Sequence, residues 1–139
     1  MRTTLPCIVF ALLCCVGCGN STPSEPDPDA LDAAHAWLAL IDNGDYEASW
    51  ENAAPYFRRA VPKDDWVLTM ERLRKPLGAN VSREVMHTQY VTQIPGGPDG
   101  KYLVLQIQAG FENKQSAIET VTPMLTQDDT WRVSGYYIR

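Results

Sequence analysis

Apolar residues recur at three- and four-residue steps in the first part of this chain and at two-residue steps in its last part. Over residues 30–43, Leu31, Ala34, Leu38 and Ile41 fall on one side of a helix, which predicts an amphipathic segment. Asn43 and Gly44 stop it, the glycine supplying the left-handed residue that closes a helix. Asp45 stands where a second helix would be capped. Tyr46, Trp50, Ala53 and Phe57 carry the same period onward, and Pro55 ends or kinks it. A third helix is expected to start near Asp64, with Trp66, Met70 and Leu73 on one side, and Lys75-Pro76 ends it.

The period then shortens. Residues 81–94 are rich in Val, Thr and Tyr, and the P-G-G-P-D-G run at 95–100 is a strong turn. Leu103, Leu105, Ile107, Ala109 and Phe111 alternate with Tyr102, Val104, Gln106, Gln108 and Gly110, the clearest strand pattern in the chain. Residues 112–115 turn into a strand over 116–126, and Asp128-Asp129 turns into a last strand over 131–138. There, alternation sets Trp131, Val133, Gly135 and Tyr137 on one face and Arg132, Ser134, Tyr136 and Ile138 on the other. A cross-strand pair between Glu119 and Arg132 is expected. Helices followed by short-linked strands imply an α+β fold: two or three N-terminal helices packed on one face of a curved four-stranded antiparallel sheet.

The chain has 139 residues, 45% of them hydrophobic and 21% charged, which fits one soluble domain. Its four cysteines, Cys7, Cys14, Cys15 and Cys18, all stand near the N-terminus, so nothing after Cys18 can form a disulfide or a zinc–thiolate site. Met1-Arg2 is a positive end and residues 5–16 form an apolar run, shorter than the ~20 residues of a membrane span, so 1–17 reads as a signal peptide. The small residues around Cys18 resemble a bacterial lipobox, which implies lipid attachment at Cys18, with Cys15 as the alternative. Gly19 rather than Asp follows Cys18, and the resemblance then implies an outer-membrane anchor facing the periplasm. Residues 18–29 hold prolines, acids and no large apolar side chain, the composition of a solvated tether, and 30–139 form one domain.

Arg2 is the one basic residue ahead of Cys18. From Cys18 onward the chain carries 11 basic and 17 acidic residues, a net charge of −6, which disfavours nucleic acid as a partner. Arg58-Arg59 and Arg72-Arg74-Lys75 read as solvated faces, or as a patch facing anionic lipid.

A lipoprotein signal followed by A-W-L-A-L-I-D-N-G-D-Y-E-A-S-W at 36–50, F-R-R at 57–59, R-K-P-L-G at 74–78, I-P-G-G-P-D-G-K-Y at 94–102, E-T-V-T at 119–122 and W-R-V-S-G-Y-Y-I-R at 131–139 resembles the bacterial DUF4019 family. The helices-then-sheet order is also similar to the nuclear-transport-factor-2-like (cystatin-like) cone. These resemblances imply a cell-envelope location. They supply no activity, because the same cone hosts enzymes and pure binding modules alike.

Candidate chemistry is sparse. His35 and Asp42 share a helix face but stand two turns apart, too far for a direct hydrogen bond. With Tyr46 and Tyr90 they make the one candidate pocket, in which a carboxylate or His35 would act as general base beside a tyrosine donor. Against it, His35 reads as an amphipathic edge position, His87 as a solvent-facing strand position, and Asp42-Gly44 as a helix–helix corner with Tyr46 and Trp50 in the core. Two separated histidines without a domain cysteine predict no metal site, and no cofactor is expected. Ser49, Ser82, Ser116 and Ser134 sit in no nucleophile elbow, and Gly96-Gly97 belongs to a turn, not a phosphate loop. The leading expectation is a lipid-anchored, non-catalytic domain that binds an envelope protein or a small ligand. The rival is a small cone-fold enzyme of isomerase, dehydratase or hydrolase type.

Overall fold

The computed structural model describes residues 25–139. The expected signal peptide, Cys15, Cys18 and the expected tether through residue 24 lie outside the described residues. Four α-helices come first: α1 (Pro28–Asp42), α2 (Tyr46–Glu51), α3 (Pro55–Ala60) and α4 (Lys63–Leu73), with a 3₁₀ turn at Lys75–Leu77. Four strands follow: β1 (Asn80–Val91), β2 (Tyr102–Phe111), β3 (Lys114–Leu125) and β4 (Trp131–Ile138). They form one antiparallel sheet in the order β1-β2-β3-β4. This is the α+β arrangement expected, with four α-helices among the described residues in place of two or three.

Proline chemistry accounts for the extra helix. Pro28 and Pro55 each open a helix at its first turn, where a missing N–H costs nothing and a fixed φ is already helical. The run expected to end or kink at Pro55 is therefore two short helices, separated by residues 52–54 with Ala54 extended. Asp27 caps α1, its side chain accepting the Asp29 N–H at 3.0 Å. Asp45 occupies the position before α2 but makes no side-chain cap bond. Gly44, at φ 78°, turns the chain between the two helices.

Helix α1 buries Ala30, Ala34, Trp37, Leu38 and Ile41 at helical spacing. It packs on β3 and β4, and α3 packs on β4. The core between the layers is joined by Trp66 and Met70 of α4 and by Leu103, Leu105, Ile107 and Val121 of the sheet. A stack of rings fills its centre. Trp37 lies 5.8 Å from Trp66 and 5.4 Å from Tyr136, and Phe57 meets Trp66 edge-on at 5.1 Å.

The sheet has four register shifts, and two of them, β-bulges in the middle of β1 and in β4, set the faces of the residues that follow them. In β1, Val85 pairs with Ile107 but His87 pairs with Gln106, so Met86 is an extra residue. In β4, Thr122 faces Gly135 but Pro123 faces Val133, so Ser134 is extra. The second bulge overturns the expected alternation. Trp131 and Val133 face the core, but beyond Ser134 it is Tyr136 that points inward, while Tyr137 is exposed. Pro123 is the physical reason, since a proline within a sheet is tolerated at a bulge. It has no N–H to give. The carbonyl of Val133 opposite accepts from the Ala54 amide at 2.7 Å, and the Ser134 hydroxyl donates to the Thr122 carbonyl at 2.7 Å.

Candidate functional site

Polar side chains gather in one place inside the molecule, where the end of α1, the segment after α4 and three strands meet. Asp42 is the last residue of α1, a position where the helix dipole disfavours negative charge, and no basic residue stands in that last turn. Compensation comes from elsewhere in the chain. Asp42 Oδ1 accepts from Arg74 Nη2 at 2.9 Å and from Arg83 Nη2 at 2.8 Å, and its Oδ2 accepts from Arg83 Nη1 at 2.5 Å.

Arg83 points inward from β1, opposite Ala109 of β2, which itself faces Ala117 of β3. Those two small residues leave room for a long side chain to lie across β2. Its Nε and Nη2 donate to Glu119 of β3 at 2.6 and 3.1 Å. Glu119 is fully buried and also accepts the Tyr136 hydroxyl of β4 at 2.6 Å. Arg74 is buried with its guanidinium 4.3 Å from the centre of the Phe111 ring, and its Nη1 donates to the Gly78 carbonyl at 2.7 Å. Its Nε is the one buried side-chain polar atom without a hydrogen-bond partner among the described residues.

Two acids and two arginines make the cluster electrically neutral, the condition under which buried charges persist. Burial alone would raise the Asp42 carboxyl, but the hydrogen bonds and charges of Arg83 and Arg74 outweigh it and hold it below the usual carboxylate range. Burial and the adjoining Glu119 carboxylate push the Tyr136 hydroxyl far above an ordinary tyrosine. Burial would lower Arg83, yet Asp42 and Glu119 hold it above its usual value. Each carboxylate oxygen already accepts at least one hydrogen bond, and the Tyr136 proton is committed to Glu119. The arrangement joins α1 and the end of α4 to three strands. No acceptor in it stands free as a general base.

The four residues of the expected pocket are dispersed. His35 is exposed on α1, and Asp42 is spent on the two arginines. Tyr46 is buried in the core, where its carbonyl accepts the Ser49 hydroxyl at 2.7 Å. Tyr90 sits on β1, its hydroxyl accepting the Asp27 N–H at 2.6 Å, and lines a surface depression of about 410 Å³ with Gln93 and Lys101. His87 is exposed on the outer face of the sheet.

Two further expectations are corrected. Glu119 does not pair with Arg132. Register sets Glu119 opposite Ile138 and Arg132 opposite Met124, and Arg132 bonds Asp128 at 3.1 Å. Nor is Arg74 part of a solvated basic face, because it is buried under the Asp42 carboxylate. Among the described residues no three His, Cys, Asp or Glu side chains converge as metal ligands, and no helix is long and apolar enough to cross a membrane.

Gly78 shows how closely the cluster is built. Its φ of 78° and ψ of −162° lie in a region open essentially to glycine, and a Cβ there would stand 2.6 Å from Glu112 Oε2, which holds the Ala79 N–H. Gly44 has the same φ but open space around it. Gly78→Ala is expected to lower stability by about 1–3 kcal/mol, and by more than Gly44→Ala, in paired thermal melts. Equal losses would show that the Gly78 surroundings add nothing to the backbone cost.

The model of the DUF4019 family, described as a protein of unknown function, matches residues 33–136, a span that holds every member of this cluster. A comparison with curated proteins finds no match.

Proposed function

The chain belongs to the DUF4019 family, and from that premise we propose that it is a lipid-anchored, non-catalytic binding domain of the bacterial cell envelope. The observation that carries this reading is how the interior is used. The space between helices and sheet, where a cone-fold enzyme would hold substrate, is occupied by Trp37, Trp66, Phe57 and Tyr136, and the interior acids are bound to arginines. An enzyme needs an accessible ionisable group in a cleft. Here the depressions of about 410, 370 and 340 Å³ are open to the surface, and none unites His35, Asp42 and Tyr90. Apolar side chains are instead exposed on the sheet at Val81, Val85, Met86 and Tyr137. The first three stand close together on β1 at one edge of the sheet, and large exposed apolar residues that gather in this way are the usual mark of a contact site.

The order of elements and the curved sheet under the helices support a nuclear-transport-factor-2-like cone. The signal at 1–17 and the lipobox-like surroundings of Cys18 support an anchor, for which two or more acyl chains would give stable membrane attachment. Mass spectrometry and membrane fractionation of wild type against Cys18→Ala test that anchor. The wild type is expected to carry the lipid mass and sediment with membranes, and the variant to lose both. An unchanged mass and unchanged fractionation would refute attachment at Cys18. Crosslinked pulldown from intact envelopes tests the binding role. Recovery of a specific protein or ligand supports it, whereas turnover of a small substrate lost on Tyr90→Phe would favour the enzyme.

A further inference from the structure

Strand β1 lies at one edge of the sheet, and its outer N–H and C=O groups have no backbone partner among the described residues. It carries three large exposed apolar residues, Val81 (70%), Val85 (38%) and Met86 (60%). The helices lie chiefly over β3 and β4. A free edge of this length is a template for another strand unless something blocks it.

The bulge at Met86 decides which residues that strand would meet. Arg83 and Val85 pair with the core-facing Ala109 and Ile107, and Thr88 and Tyr90 pair with the core-facing Leu105 and Leu103. Ser82, Glu84, His87 and Gln89 therefore share the outer face. Glu84 and His87 are three positions apart, which in a regular strand would place them on opposite faces. The extra residue brings both to the same side.

We propose that β1 is a homodimer interface, in which it pairs antiparallel with β1 of a second copy about a two-fold axis between residues 85 and 86. In this register Glu84 stands opposite His87 of the second copy, twice by symmetry. Ser82 meets Gln89 and Arg83 meets Thr88, every pair on a common face, while Val85 and Met86 meet across the axis. A slip of one residue sets inner side chains against outer ones. A slip of two sets Glu84 against Gln89 in one direction and His87 against Ser82 in the other, and parts Glu84 from His87 in both. The strand is thus complementary to itself, since it supplies both the acid and the base, and a second copy is the occupant that this pattern fits. The pairing would join two sheets into one and cover the exposed apolar residues of both. It does not depend on the lipid anchor.

The test mixes two differently tagged full-length proteins in detergent, one carrying Glu84→Cys and the other His87→Cys, under mild oxidation. Directly opposed strand positions fall within disulfide reach. The expected result is a mixed-tag species in which mass spectrometry finds residues 84 and 87 linked, well above a control with Gln106→Cys on the outer face of β2. In sedimentation, Glu84→Lys is expected to weaken the dimer about three- to tenfold, and Glu84→Lys with His87→Glu to restore it. Wild type that stays monomeric at the highest soluble concentration overturns the proposal, including the case in which a different protein captures β1. A 84–87 link no stronger than the Gln106 control, or a dimer indifferent to Glu84→Lys, overturns this register.

Discussion

Glu119→Gln is expected to cost the domain about 3–5 kcal/mol in urea unfolding, the usual penalty for breaking a buried ion pair from one side. Glu119 is fully buried and answers both Arg83 and the Tyr136 hydroxyl, so neutralising it leaves the guanidinium half-compensated and away from water. The penalty belongs to the orphaned charge rather than to the net worth of the pair. Arg83→Met combined with Glu119→Leu and Tyr136→Phe removes the charges and the hydroxyl together, while Asp42 and Arg74 keep each other. That triple variant should recover most of the loss, since well-packed apolar replacements of buried ion pairs are often neutral or better. A triple variant as unstable as Glu119→Gln alone would sink this explanation.

The same cluster sets the direction of pH dependence. Asp42 is held below its ordinary value in the folded state, so the unfolded chain takes up its proton first as pH falls. Its contribution is fully present above the ordinary carboxylate range, near pH 3.9, and is lost as pH drops through the lower folded value. Tyr136 acts at the other end. Its folded value is raised, so its share persists at neutral pH and declines once unfolded tyrosines ionise above about pH 10.

The second large effect is expected at Trp66, where Trp66→Ala should cost about 3–5 kcal/mol by chemical denaturation. Its ring touches the stack on three sides, with Trp37 at 5.8 Å, Phe57 at 5.1 Å and Tyr136 at 6.3 Å. It also has a polar anchor, since the indole N–H donates to Ser49 Oγ at 2.9 Å, while Trp37 donates to the Ser49 carbonyl at 2.7 Å. Ser49 is completely buried. Ser49→Ala leaves the Trp66 N–H without a partner and should cost about 1–3 kcal/mol. Because Trp66→Phe removes that donor, Ser49→Ala should be milder in its background. A double-mutant cycle closing with no coupling would mean that the bond contributes nothing.

Much of the fold was legible because it depends on local period. The apolar stripe of α1, the alternation of β2 and the turn residues at 95–100 each act over a few neighbours, and the structure places a helix, a strand and a turn there. Pro55 was read as a break but not as the first residue of a new helix, a role that depends on the extended Ala54 before it. The bulges at Met86 and Ser134 were invisible, since each needs a partner strand against which a residue can be extra. The polar cluster was missed for a related reason. Asp42, Arg74, Arg83, Glu119 and Tyr136 are brought together by topology across distant parts of the chain. Some signal was present. Glu119 stands in step with Ala117 and Val121, and Arg83 with Val85, two residues apart and on one face, so both charges fall at core-facing strand positions. A charge in such a position must find a buried partner. Asp42 was noticed, as a pocket acid beside His35 and Tyr90 and as one side of a helix–helix corner with Gly44, but not as an ion-pair partner, because its two arginines lie beyond any sequence window.

The bond from the Ala54 amide to the Val133 carbonyl has a bearing on stoichiometry. It ties the junction of α2 and α3 to the middle of β4 and stands in the way of a strand added there, while the β1 margin has no such bond among the described residues. Growth into a fibre requires two sticky margins on every subunit, one to receive and one to offer. With β4 obstructed in this way, pairing through β1 stops at two copies.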